Sequence, residues 1–147
     1  MKLTAGAVGG LLDISSVGHV YTQVPMNNTT WYRIAKGIIL AEMSSVLLNC
    51  TSRYSRTKHA NQLLLISASA YAVNAVTKIG GEGSVLSKVR VLYNSEKTPH
   101  LYIDVKPISD GNPICFTFSN NVNLEFLTTQ IPIESPDEGY TVDEFSL

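Results

Sequence analysis

The sequence VLSKVRVLYNSEKTPHLYIDVK, residues 85–106, contains the clearest structural pattern in this chain. On both sides of the polar turn at 94–99, apolar and polar residues alternate with a period of two. Because successive side chains of a β-strand point to opposite faces, this pattern predicts two antiparallel strands joined by a turn. The hairpin has a polar outer face and an apolar inner face, which is formed by Val89, Val91, Leu101, Ile103 and Val105.

The same alternation extends in both directions along the chain. Further strands are predicted at 14–23, 31–36, 45–53, 63–70, 114–119 and 122–126, separated by turns rich in Pro, Gly, Asn and Asp. About eight or nine short strands with regularly spaced turns are typical of a sandwich or jelly roll. We therefore predict an all-β fold, an antiparallel, jelly-roll-like β-sandwich, as a single domain at 14–147 after a lead-in segment at 1–13.

The longest apolar run, at 63–66, predicts a central strand covered on both faces. A helix over 60–76 is the local alternative, because Ala, Leu and Gln favour helices. The Ser, Val, Ile and Tyr content of the same segment favours the strand. The predicted core consists of Tyr32, Ile34, Leu63, Leu65, Val89, Val91, Leu101, Ile103, Val105, Phe116, Phe118, Leu124 and Phe126.

Composition and charge argue against two classes of partner. Charged residues make up 16% of the chain and its net charge is −1. A chain with this balance gains no affinity for a nucleic-acid backbone from counterion release, so nucleic-acid binding is not expected. No apolar run approaches the roughly 20 residues that a membrane-spanning helix needs, so membrane insertion is not expected either.

The two cysteines, Cys50 and Cys115, both lie in apolar, strand-like surroundings. Two interpretations stay open, namely buried thiols that act as small hydrophobic residues or a single disulfide. Two cysteines cannot supply a Cys₄ zinc site, and the three histidines lack the spacing of metal ligands. No metal site is therefore predicted.

Only the segment at 13–16 suggests covalent chemistry. A serine hydroxyl can attack a neighbouring peptide carbonyl, and an adjacent carboxylate can assist the proton transfer. Asp13, Ser15 and Ser16 are therefore candidates for a single-turnover self-cleavage, with an ordinary polar entry segment as the alternative. The glycine-rich segment at 79–83 lacks the phosphate-loop pattern, and its glycines are explained by positive φ angles.

Aromatic and charged residues near the predicted strands are candidates for contacts with a ligand or a subunit. Tyr102 lies on the polar face of its strand, where a half-exposed ring can stack on a sugar. In the strand at 31–36, Tyr32 and Ile34 are predicted to point inward, which leaves Trp31 and Arg33 for a rim or a neighbouring subunit. The acidic residues near the C-terminus are interpreted as a solvated tail or a trimer-edge strap; they are Asp137, Glu138, Asp143 and Glu144.

These segments together resemble a known family. The sequences WYRIA at 31–35 and LYIDV at 101–105, followed by Pro136, Gly139 and Tyr140, are similar to the C-terminal head domain of phage tail fibres, tailspikes and appendages. The likeness is strongest to the tail appendage of short-tailed Bacillus phages, and it runs from about residue 19 to the end of the chain.

The resemblance implies a β-sandwich that assembles as a homotrimer and promotes trimerisation of an upstream fibre or spike shaft. It places the protein in the tail of a virion that is made in the bacterial cytoplasm. It also implies two alternatives. One is a tip that binds host cell-wall polysaccharide or teichoic acid, and the other is a self-cleaved assembly chaperone that can bind ATP. No Walker motif accompanies the ATP expectation.

Overall fold

A computed structural model describes residues 17–21, 27–37, 44–54, 58–71, 73–110, 113–120 and 124–147. These residues form ten strands and no helix. The predicted lead-in segment lies outside the described residues. The strands are β1 (Val17–Tyr21), β2 (Trp31–Gly37), β3 (Ser44–Tyr54), β4 (Lys58–Ala68), β5 (Ala75–Gly80), β6 (Leu86–Tyr93), β7 (Leu101–Pro107), β8 (Ile114–Asn120), β9 (Leu124–Ile133) and β10 (Thr141–Ser146).

The strands form two antiparallel five-stranded sheets, which confirms the predicted all-β sandwich. Sheet A has the order β1-β8-β3-β4-β5, and sheet B has the order β10-β6-β7-β2-β9. The predicted hairpin is formed by β6 and β7, with Val89 opposite Val105 and Val91 opposite Ile103. Many neighbours are distant in sequence, such as β1 with β8 and β2 with β7, so the chain crosses repeatedly between the sheets.

The core lies between the inner faces of the two sheets. Sheet A contributes Leu48, Leu64 and Phe116, and sheet B contributes Val91 and Ile103, all almost completely buried. Phe118 of β8 and Phe126 of β9 stack across the interface with ring centroids 3.7 Å apart. Most of the predicted core is therefore confirmed.

The prediction of which alternate side chains of β4 face the core was wrong. Leu64 and Ile66 are buried, whereas Leu65 is 42% exposed and Leu63 is only partly buried. β4 is thus covered on one face and not on both. The run of four apolar residues carries no alternation, so the pairing of Leu64 with the buried Leu48 decides which side chains face the core.

A bulge in β2 determines where Arg33 points. The register with β7 shifts between Arg33 and Ala35, so that Ile34 and Ala35 both lie in the core. A bulge of this kind re-aims the side chains beside it. Arg33 then lies opposite Asp104, on the face of sheet B that points away from the core.

One buried amide links the two sheets. Gln62 of β4 is 1% exposed, and its Oε1 accepts hydrogen bonds from the backbone N–H groups of Val85 and Leu86 at 3.1 and 2.8 Å. Its Nε2 donates to the Leu86 carbonyl oxygen at 3.4 Å. The amide thereby satisfies the backbone groups at the start of β6, which would otherwise be costly to bury.

The turn between β5 and β6 confirms the interpretation for two of the three glycines at 79–83, whereas Gly80 belongs to β5 and has no positive φ. Gly81 and Gly83 have φ angles of 101° and 81°. A Cβ at Gly81 would overlap the carbonyl oxygen of Asn61 in β4, so this position requires glycine for space as well as for φ.

Candidate functional site

Three strands of sheet B bring opposite charges together on its outer face. The antiparallel register places Asp104 of β7 opposite Arg33 of β2 on one side and opposite Arg90 of β6 on the other. Asp104 Oδ1 accepts a hydrogen bond from Arg33 Nε at 2.9 Å, and its Oδ2 accepts one from Arg90 Nε at 3.0 Å. One carboxylate thus joins two guanidinium groups across three strands.

A second carboxylate comes from the connection between β9 and β10. Asp137 Oδ1 and Oδ2 accept hydrogen bonds from Arg33 Nη2 and Nη1 at 2.9 and 3.2 Å. Arg33 Nη2 also donates to Asp104 Oδ2 at 3.3 Å, so all three of its nitrogens are engaged. Such two-pronged contacts between arginine and carboxylate are strong and orient both partners. We call Arg33, Arg90, Asp104 and Asp137 the arginine cluster.

Three members of the arginine cluster are buried although they lie on the outer face of a sheet. Asp104 is completely buried, and Arg33 and Arg90 are 6% and 4% exposed. The cover is the segment at 134–140, which we call the strap. The strap leaves β9 at one edge of sheet B and enters β10 at the opposite edge, so it crosses the outer face.

Hydrogen bonds to the turn between β6 and β7 hold the strap in place. Asn94 Nδ2 donates to the carbonyl oxygen of Gly139 at 2.8 Å, and Lys97 Nζ donates to that of Glu138 at 3.0 Å. The Tyr140 hydroxyl donates to the Pro99 carbonyl oxygen at 2.5 Å. The acidic segment is therefore not a solvated tail, because its first part binds sheet B of its own chain and Asp143 and Glu144 lie in β10. The predicted contact at a trimer edge stays a prediction.

Aromatic rings cover both guanidinium groups. The Arg33 guanidinium carbon lies 3.6 Å from the Tyr102 ring centroid, and that of Arg90 lies 4.4 Å from the Trp31 ring centroid. Tyr102 also contacts Tyr140, with centroids 5.2 Å apart. Cation–π contacts of this kind strengthen when they are shielded from water.

Burial alone would lower the pKa of Arg33. Hydrogen bonds to Asp137 and Asp104, together with the attraction of both carboxylates, outweigh burial and raise the pKa above its ordinary value. Arg33 therefore stays charged wherever the protein is folded, and it acts as a permanent anchor for the strap.

Burial also raises the pKa of Tyr140, with further contributions from the neighbouring Tyr102, and the pKa reaches about 12. Tyrosine in an unfolded chain ionises near pH 10. Because the folded state holds the proton more tightly, this stabilisation is complete below about pH 10 and is lost as the pH rises towards about 12. In a spectrophotometric titration we expect Tyr140→Phe to remove a tyrosinate that forms late, near pH 12. The half-exposed Tyr71 is the matched control, and a Tyr71→Phe variant that lost the same late component would contradict the assignment.

The structure brings together the three residues predicted for an interface or a ligand. Trp31, Arg33 and Tyr102 all lie in or beside the arginine cluster. Arg33 is occupied by two carboxylates of its own chain, and the Tyr102 ring is in contact with Arg33 and Tyr140. The cleavage candidates Asp13, Ser15 and Ser16 lie outside the described residues.

Sequence reasoning missed Arg90, Asp104 and Asp137 as members of a site. The alternation in β6 and β7 did place Arg90 and Asp104 on one face, and the antiparallel pairing of the hairpin made them neighbours. Nothing in the sequence linked that face to Asp137, which follows two further strands along the chain.

The cysteines lie on opposite faces of sheet A. Cys50 is completely buried in β3, whereas Cys115 is partly exposed on β8, opposite Thr51. This orientation does not favour a disulfide. Burial raises the pKa of the Cys50 thiol, which suits the interpretation of Cys50 as a small hydrophobic residue.

The glycine-rich turn does not fit the phosphates of ATP, which the resemblance implies as a ligand. Its Glu82 carbonyl oxygen accepts a hydrogen bond from Asn61 N at 2.8 Å, and its Gly83 carbonyl oxygen accepts one from Lys78 Nζ at 3.2 Å. The turn then leads into strand β6 and not into a helix whose N-terminus could receive a phosphate.

Within the described ranges, no group of three or more His, Cys, Asp or Glu side chains is arranged to hold a metal ion. The same part of the chain contains no helix long and apolar enough to cross a membrane. Comparison with known proteins finds no matching family model, no matching curated protein and no matching solved structure.

Proposed function

We propose that this chain is an assembly module that forms a homotrimer through the outer face of sheet A, as the C-terminal domain of a phage tail spike or appendage. The observation that carries the proposal is an exposed apolar surface on that face. Leu47 is 41% exposed and Leu65 is 42% exposed, and they lie directly opposite each other in β3 and β4. Leu63 lies on the same face two residues before Leu65. We call Leu47, Leu63 and Leu65 the leucine face.

The surroundings of the leucine face suit a protein interface. The other described side chains on the outer face of β3, β4 and β8 are short and uncharged; they are Ser45, Asn49, Thr51, Asn61, Ser67, Cys115, Thr117 and Ser119. Depletion of charge is the compositional mark of the centre of an interface. Exposed apolar patches rimmed by polar residues mark sites of association.

A second copy of the same chain is a fitting occupant. The described side chains of this surface carry no charge, so they give no like-charge repulsion when two identical surfaces meet. The net charge of −1 adds little repulsion between whole subunits. In a closed cyclic assembly, each copy can turn this face towards the symmetry axis and remove it from water. The choice of three copies and of a phage tail rests on the sequence resemblance.

Sedimentation equilibrium of the purified chain at micromolar concentration tests the proposal. We expect a species of three times the 16.0 kDa chain mass. Leu47→Glu and Leu65→Glu each introduce a charge into the leucine face, and both are expected to give folded monomers. Both positions are already partly exposed, so the fold itself should tolerate the change.

Ile131→Glu is the matched control. Ile131 is 48% exposed and lies in β9 of sheet B, away from the leucine face. This variant should remain a trimer. A wild-type chain that is monomeric or dimeric would overturn the proposed trimer, and a trimer that survived both leucine substitutions would exclude this face.

A further inference from the structure

The two buried arginines of sheet B differ in how their donors are satisfied. Arg33 uses Nε, Nη1 and Nη2 in hydrogen bonds to two carboxylates. Arg90 shares only its Nε with Asp104, and its Nη2 is buried with no hydrogen-bond partner. The Arg90 side chain is 5% exposed. A buried, charged donor without a partner is costly, so its presence calls for an explanation.

A second cation lies near the same tryptophan ring as Arg90. Lys106 Nζ is 5.9 Å from the Trp31 ring centroid, and the Arg90 guanidinium carbon is 4.4 Å from the same centroid. Lys106 is partly exposed on β7, on the same face as Asp104. Within the described part of the chain, Lys106 takes part in no ion pair, whereas the neighbouring Lys88 is bound to Glu144.

Local charge is therefore unbalanced around Trp31. Asp104 is shared between Arg33 and Arg90, and Asp137 is committed to Arg33. Among the described residues, Lys106 forms no ion pair and the Nη2 of Arg90 has no hydrogen-bond partner. The excess positive charge and the free donor lie next to the chain's only tryptophan, which is itself partly exposed.

We propose that Arg90, Lys106 and Trp31 form a binding site for a tetrahedral oxyanion, a phosphate or sulfate group. Such a group has enough acceptor oxygens for both the Arg90 guanidinium and the Lys106 ammonium. The Trp31 ring covers Arg90, so the ring shifts aside when the oxyanion reaches Nη2. If a sugar carries the oxyanion, the indole offers its ring an apolar surface.

Trp31 also supplies the readout, because it is the only tryptophan in the chain. Its fluorescence is followed while the full chain is titrated with inorganic phosphate at constant ionic strength. We expect a saturable change. Lys106→Met should keep the fold, because Lys106 is partly exposed, and should weaken phosphate binding about tenfold, a typical loss for one charged contact. Arg90→Lys should weaken binding at least as much, provided that its circular dichroism matches that of the wild type.

Lys36→Met is the matched control, since Lys36 also lies on the outer face of sheet B but pairs with Glu125 at 3.9 Å. Its phosphate affinity should stay within about twofold of the wild type. Glucose 6-phosphate and inorganic sulfate distinguish a sugar-borne oxyanion from a free one. If glucose 6-phosphate binds more tightly than inorganic phosphate, the natural ligand is an oxyanion carried by a sugar. If the two bind equally, the ligand is a free oxyanion. Three results would overturn the proposal: no saturation by phosphate below about 10 mM, equal affinities in the wild type and Lys106→Met, or equal binding of uncharged glucose.

Discussion

Asp104→Asn is expected to lower the free energy of unfolding by about 3–5 kcal/mol, the usual cost of breaking a buried ion pair. The substitution keeps the size and shape of the side chain, but it removes the charge and replaces one of the two accepting oxygens by an NH2 group, which cannot accept a hydrogen bond from arginine. Two guanidinium groups, Arg33 Nε at 2.9 Å and Arg90 Nε at 3.0 Å, lose their shared anion in a place that water does not reach. Urea unfolding followed by circular dichroism measures the change.

Glu144→Gln is the matched control for this prediction. It breaks the Lys88–Glu144 pair on the same sheet, whose side chains are 40% and 44% exposed. An exposed pair of this kind contributes less than about 1 kcal/mol. If Asp104→Asn cost no more than Glu144→Gln, the arginine cluster would not be a stabilising centre.

A second variant keeps the prediction testable if Asp104→Asn does not fold. The Asp137 side chain is 33% exposed and contacts only Arg33 within the arginine cluster. Asp137→Asn should therefore cost less than Asp104→Asn, about 1–3 kcal/mol, as expected for loss of charged hydrogen bonds. A larger cost at Asp137 than at Asp104 would mean that the strap, and not the shared carboxylate, holds the arginine cluster together.

The architecture followed from the sequence because alternation is a local property. In the hairpin of β6 and β7, each residue's face can be read from its neighbours, and the predicted inner residues are buried there. The same alternation placed Arg90, Tyr102 and Asp104 on the outer face. Their burial could not be read locally, because the cover is the strap, and strands β8 and β9 separate the strap from the end of the hairpin at Pro107.

For Trp31 and Arg33 too, the sequence predicts the face of the sheet but not the contacts made there. The sequence placed them away from the core, and they do lie on the outer face of sheet B. An outward direction suggested a rim or a neighbouring subunit. In the structure, Arg33 is instead bound by carboxylates of β7 and of the strap, and these are contacts between distant parts of one chain.

Leu64→Ala is expected to lower the free energy of unfolding by about 2–5 kcal/mol, as large-to-small changes in a core do. Leu64 is completely buried in the centre of β4, opposite Leu48. Leu65→Ala, one residue further along the same strand, should cost no more than about 1 kcal/mol, because Leu65 lies on the outer face. Both are best measured by urea unfolding in the Leu47→Glu background, where self-association through the leucine face is blocked.

This pair of variants decides which side chains of β4 face the core, a question that its run of apolar residues leaves open. Four consecutive apolar residues fit either phase, and a slip of one residue exchanges the inner and outer faces. If β4 had the phase that the sequence suggested, Leu65→Ala would be the costly change and Leu64→Ala the mild one. That reversed order would also place Leu65 in the core and remove it from the leucine face, so it would contradict the proposed interface as well as the register of β4 with β3.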